Sequence, residues 1–201
     1  NMMTIFGKQF SRAWRSCCMV LLCLLAVAGG WLWFSRPVTA SQQLRGYSVS
    51  GVQVIDVVML SGGPTQLHGI ATEDSEEIQE LLGLLDQYPT NRKWDWSWLL
   101  GEGFGDYNGK DPYSSVWVVL SFRDADGKAG SLQYIVSETG RVQVFEPNRF
   151  GDVPAGVGRF GAEGAKQYFA ALHRFYEQKV DSPLWAPSTP TEEERSTGVD
   201  A

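Results

Sequence analysis

Val116-Trp117-Val118-Val119-Leu120-Ser121-Phe122-Arg123 is a run rich in β-branched and aromatic residues, and a turn signal, Asp126-Gly127, follows it. Gly130 to Ser137 is a second such run. Thr139-Gly140 is a second turn signal, and Arg141 to Phe145 is a third run. Three strands joined by short turns make an antiparallel meander. Such a meander gives the folded part an antiparallel sheet.

Upstream, Val52, Val54, Val57, Val58 and Leu60, with Ile55 among them, predict a strand. Ser61-Gly62-Gly63-Pro64 predicts a turn, and Thr65 to Ala71 predicts a second strand. A helix then starts near Thr72-Glu73-Asp74-Ser75, where Thr72 or Asp74 can cap it and Glu73, Glu76 and Glu77 suit its positive end. Ile78, Leu81, Leu82, Leu85 and Tyr88 recur at helical spacing, and Pro89 closes the helix. Downstream, Asn148 to Gly161 is glycine-rich and reads as a loop. A second helix spans about Ala162 to Lys179, with a stripe of Tyr168, Phe169, Leu172, Phe175 and Tyr176. The expected order is β-β-α-β-β-β-α: an α+β domain with an antiparallel sheet of about five strands and two helices packed on one face.

Twenty uncharged residues, Ser16 to Ser35, lie between Arg15 and Arg36. As a helix they reach about 30 Å, the thickness of a bilayer's hydrocarbon core. Lys8, Arg12 and Arg15 precede them, which predicts an N-terminus inside and a C-terminal domain extracytoplasmic. Trp31, Trp33 and Phe34 suit an interfacial belt. The expected organisation is a cytoplasmic basic N-terminus (1–15), a transmembrane anchor or signal sequence (16–35), a juxtamembrane spacer (36–50), the α+β domain (51–180) and a disordered acidic tail (181–201). A cleaved signal peptide is the rival reading. Val38-Thr39-Ala40 resembles a cleavage site, and cutting after Ala40 yields a secreted protein. The run exceeds the usual 7–15 residues of a signal's apolar core, which favours the anchor.

Of 17 basic residues, 13 lie beyond residue 40 together with all 23 acids, a formal net of −10. Such a domain is not built to hold nucleic acid by electrostatics. Cys17, Cys18 and Cys23 all sit in the apolar run, so no disulfide framework or cysteine-ligated metal is expected beyond it. No cofactor motif is present: Gly101-Glu102-Gly103-Phe104-Gly105 does not sit inside a βαβ unit.

The order of Val52–Leu60, the Ser61–Thr65 turn, an acid-capped helix, a meander split by Asp126-Gly127-Lys128 and a terminal aromatic helix resembles small extracytoplasmic domains of unknown function in Gram-positive bacteria, carried behind a signal or anchor. The resemblance covers about residues 50–180. It implies a binding or sensory module rather than an enzyme, and it brings no catalytic residues.

For ligand binding the candidates are Trp94, Trp96 and Trp98, whose alternation puts them on one face of a strand, with Phe104 and Tyr107 nearby. Filling the core is the plainer role for the same tryptophans. Asp106 to Asp111 loosely resembles a calcium loop but lacks its full spacing and distal Glu, and Asp124-x-Asp126-Gly127 reads as a hairpin. No metal site is expected. His68 and His173 are far apart in sequence and form no metal-spaced pair. Glu73, Glu76, Glu77 and Glu80 read as a solvated helix face. The favoured function is non-enzymatic: an anchored module that binds a ligand or protein at the cell envelope, its membrane contact being residues 16–35. Two alternatives are an envelope enzyme using carboxylates such as Asp95, Glu102 and Asp106, and a structural or regulatory partner of another membrane protein, with Ala26, Gly29 and Gly30 as the helix contact.

Overall fold

A computed structural model describes residues 2–59, 65–92, 113–123, 126–145, 153–157 and 161–188; of residues 2–13, 15, 92, 113, 153–157, 161 and 162 it describes the backbone. The chain divides into two compact units, Asn1–Arg36 and Pro37–Ala201.

The first unit is the helix α1, Met2–Phe34. It takes in the basic N-terminal residues as well as the apolar run. Its segment Ser16–Phe34, 19 residues, is long and apolar enough to cross a membrane. At its end the Ser35 hydroxyl donates to the Trp31 carbonyl at 2.8 Å, and the Arg36 guanidinium lies 4.0 Å from the Trp33 ring centre.

The second unit is mixed α+β. Among the described residues it holds α2 (Ala40–Gln43), β1 (Ser48–Met59), β2 (Thr65–Thr72), α3 (Ser75–Asp86), β3 (Thr90–Arg92), β4 (Tyr113–Arg123), β5 (Ala129–Ser137), β6 (Val142–Phe145), β7 (Val153–Val157), α4 (Gly161–Lys179) and β8 (Ala186–Ser188). One sheet contains all eight strands in the order β3-β7-β6-β5-β4-β1-β2-β8, every pairing antiparallel. The meander and the first hairpin stand where the sequence puts them. Gly127 and Gly140 take φ of 78° and 88°, the left-handed backbone that their turns require. Asp74 caps α3, its Oδ1 accepting from the Glu76 and Glu77 amides at 2.9 and 3.1 Å.

The sheet's two faces are distinct. Val52 and Val54 of β1 face α3 and α4 and join the main core with Val118, Leu120, Tyr134 and Leu172. Ile55, Val57 and Trp117 belong to a second cluster, and period-2 alternation puts them on the opposite face.

Four stretches differ from the sequence reading. The expected sheet of about five strands has eight, and the three extra strands are short. β7 lies inside the expected loop, and β3 follows α3 directly. β8 lies inside the expected disordered tail, where Trp185 is only 3% exposed. The expected spacer carries α2, whose Ala40 is 2% exposed and whose C-cap Leu44 is equally part of the core. A capping box closes α2: the Thr39 hydroxyl accepts from the Gln42 amide and the Gln42 side chain from the Thr39 amide, both at 3.2 Å. Val38 and Thr90 exchange two backbone hydrogen bonds of 2.8 and 3.0 Å. Ser41 donates through its amide to Asp86 Oδ1 at 2.9 Å, and Gln43 links Thr90 to the Tyr134 hydroxyl.

β8 closes one edge of the sheet tightly. A Cβ on Gly69 would stand 2.7 Å from the Ser188 carbonyl oxygen. Gly69→Ala is therefore expected to push β8 away and cost about 1–3 kcal/mol. Urea unfolding of the full chain measures it, and an unchanged midpoint would show that this edge contributes nothing to stability.

Candidate functional site

Strand β1 sends Val52, Val54, Asp56 and Val58 toward the helices, so one position in an apolar row is a carboxylate. Antiparallel register fixes its neighbours: Asp56 lies opposite His68 of β2 on one side and Val116 of β4 on the other. Opposite residues share a face, so His68 lies on the same face as Asp56. From above, α4 brings His173, whose Nε2 is 3.8 Å from Asp56 Oδ1. The other ring nitrogen of His173, Nδ1, is 3.7 Å from the Glu177 carboxylate one turn on. The Phe169 ring packs on the imidazole, their centres 5.7 Å apart.

The electrostatics are unequal. The Asp56 side chain is 14% exposed, and its Oδ1 is closed to solvent and has no hydrogen-bond partner. Burial raises its pKa, the charges of His173 and His68 oppose that rise, and Glu177 adds to it. The Tyr176 hydroxyl is also pushed up, first by burial and then by the Asp56 charge. His173, by contrast, is 36% exposed and can exchange protons with water. At 3.8 Å its nitrogen is beyond hydrogen-bonding range, so its attraction for Asp56 is that of charge and depends on the imidazole being protonated. A half-buried carboxylate with His173 beside it and the exposed His68 opposite it in register can take up or release a proton and can receive a cationic group.

Two further buried polar atoms among the described residues have no partner, Asn91 Oδ1 and the Tyr168 hydroxyl. Neither atom carries a charge at neutral pH. Burial, then the nearby Tyr134, Asp86 and Tyr88, hold the Tyr168 hydroxyl well above the ordinary tyrosine value.

The candidates drawn from sequence fare differently. Trp94, Trp96, Trp98, Phe104 and Tyr107 lie outside the described residues, as do Asp95, Glu102, the whole Asp106–Asp111 stretch and Asp124. His68 and His173, far apart in sequence and without metal spacing, both lie near one carboxylate, His68 by strand register and His173 by contact. Glu77 is no solvated side chain. Its Oε2 accepts from the Trp185 indole at 2.8 Å and pairs with Lys179 Nζ at 2.7 Å. Lys179 also reaches Glu80 at 2.6 Å. Among the described residues no group of three or more His, Cys, Asp or Glu is placed to hold a metal ion. Sequence reasoning missed Asp56, and its signal was the break it makes in the alternating valines of β1. No family model matches the chain, no curated protein matches it, and no solved structure matches it.

Proposed function

We propose that this chain is a membrane-anchored, extracytoplasmic binding or sensory module without catalytic activity. The observation that carries the reading is Ser16–Phe34: 19 apolar residues in one continuous helix, with three cations ahead of them and an acidic folded unit behind. Retention of the helix is the finer part of the reading. Val38, Thr39 and Ala40, the residues of the cleavage-like sequence, are structural members of the folded unit: they pair with Thr90, cap α2 and fill the core. Removing them with a leader would take away part of the domain. The resemblance to small envelope domains supports binding or sensing, and Trp94, Trp96 and Trp98 remain its candidate ligand contacts.

Membrane fractionation and surface proteolysis test this. The full-length chain is expected to stay in the membrane after alkaline carbonate washing, and protease added to intact cells is expected to digest residues 37–201. A soluble product beginning at Ser41 would overturn the anchor. In the same cells, envelope material captured by the wild-type chain is expected to be lost with Trp96→Ala while the melting temperature holds. Unfolding of that variant instead would assign the tryptophan to the core.

A further inference from the structure

Asp56 is the one carboxylate placed in the helix-facing row of β1; His173 of α4 comes within 3.8 Å of it, and the exposed His68 stands opposite it in register on β2. Buried charges are costly when unpaired, so such a group is retained against stability unless its charge is used. We propose that Asp56, His68 and His173 form a proton-responsive latch that fastens α4 to strands β1 and β2. Among the described residues, the titratable groups acting on or influenced by Asp56 are His68 from β2 and His173, Tyr176 and Glu177 from α4; β4 contributes the apolar Val116.

Geometry sets the direction of the response. Histidine side chains change charge between about pH 5 and pH 8. When protonated, the His173 imidazolium stands 3.8 Å from Asp56, His68 adds its charge from β2, and the latch is closed by charge. When the imidazoles are neutral, an ionised, largely buried carboxylate is left whose Oδ1 has no hydrogen-bond partner. The burial of Asp56 adds a separate dependence of overall stability on pH. Its folded pKa is raised above 3.8, so its contribution to stability is complete below that value and is lost as pH rises through the folded value. Only imidazole protonation tightens the α4–sheet contact by charge; protonation of Asp56 itself relieves the cost of its burial and ends the attraction. Glu177, 3.7 Å from His173 Nδ1, competes with Asp56 for the same imidazolium and moderates the response.

The inference rests on the sensory reading only for its biological sense, because an extracytoplasmic domain meets the pH of its surroundings directly. Its physical content is independent of where the protein sits, so fractionation can fail while the latch stands, and the reverse.

The test uses the full chain in detergent micelles. Melting temperature is followed from about pH 5 to about pH 8 for the wild type, Asp56→Asn and His173→Gln. Relative to the wild type, Asp56→Asn is expected to gain with rising pH and to melt about 2–4 °C higher at the alkaline end, flattening the profile. Carboxyl-carbon NMR of Asp56 in the wild-type protein provides a readout that needs no stable variant. Its titration midpoint is expected above 3.8, and higher still in His173→Gln, where an opposing charge is gone. An Asp56→Asn profile parallel to that of the wild type, or an Asp56 midpoint left unchanged by His173→Gln, would overturn the latch.

Discussion

Trp185→Ala is expected to destabilise the folded unit by about 3–5 kcal/mol, the range for truncating a large buried aromatic. Trp185 meets the Phe175 ring edge-on, the centres 5.7 Å apart at 80°, and its indole donates to Glu77 Oε2. Glu77 in turn holds Lys179, whose ammonium also reaches Glu80 and lies 5.4 Å from the Phe175 ring centre. One side chain therefore ties the C-terminal segment to α3 and to the last turn of α4. Removing it leaves a cavity and takes one of two hydrogen-bond donors from a carboxylate with an 11% exposed side chain. Trp185→Phe weights the two losses differently: it removes the indole donor but leaves a much smaller cavity than alanine, so its cost is expected to be about 1–3 kcal/mol. Urea unfolding of the full chain measures both. A cost below about 1 kcal/mol for the alanine variant would mean that the segment past Asp181 frays independently of the core.

The same cluster gives acid sensitivity of the opposite sign to Asp56. Hydrogen bonds from Lys179 and then Trp185 hold the Glu77 carboxyl below its ordinary 4.5, outweighing burial. Burial pulls the Lys179 ammonium down, but its hydrogen bonds to Glu77 and Glu80 outweigh that and leave it raised. A depressed carboxyl contributes stability that is present above 4.5 and lost as pH falls through the folded value. Acid therefore loosens the clamp at Trp185 at the low end of the scale, while mild acid tightens the contact at Asp56.

Legibility in the sequence followed length and period. β1, β4, β5 and the two main helices have eight or more residues in repeated pattern, enough for alternation or a helical stripe to stand out. β3 and β8 have three residues each, too few to show a period, and β7, Val153–Val157, holds a proline and a glycine within a glycine-rich stretch. Pro154 and Pro187 also argue against strand, yet both fit their places. Pro187 lies in an edge strand, and Pro154 pairs with Gln143 beyond the reach of β3. α2 is four residues long, and only Thr39-x-x-Gln42 announced it, a capping box without the apolar run that usually follows. The Asp56 site was hidden for another reason. His68 and His173 are 105 positions apart, and only strand register and the seating of α4 bring them to one carboxylate.

A chain that begins at Ser41 is expected to be about 2–4 kcal/mol less stable than one that begins at Pro37, on the usual worth of a helix cap and of two backbone hydrogen bonds. The shorter chain lacks the Thr39 hydroxyl on the Gln42 amide and the paired hydrogen bonds between Val38 and Thr90. It also lacks Ala40, whose place in the core water or a shifted neighbour would have to fill. One change works the other way. The new ammonium at Ser41 still faces Asp86, whose Oδ1 accepted from the Ser41 amide, and a charged donor strengthens that contact. The offset is small because the pair is exposed and screened. The β3 edge bears the loss, since Thr90 gives up its backbone partner while keeping Val157. Equilibrium urea unfolding of the two chains decides the matter. Equal midpoints would make the cleavage-like sequence structurally neutral and restore the secreted reading. A clear deficit in the shorter chain would mean that Val38, Thr39 and Ala40 belong to the folded unit and not to a removable leader.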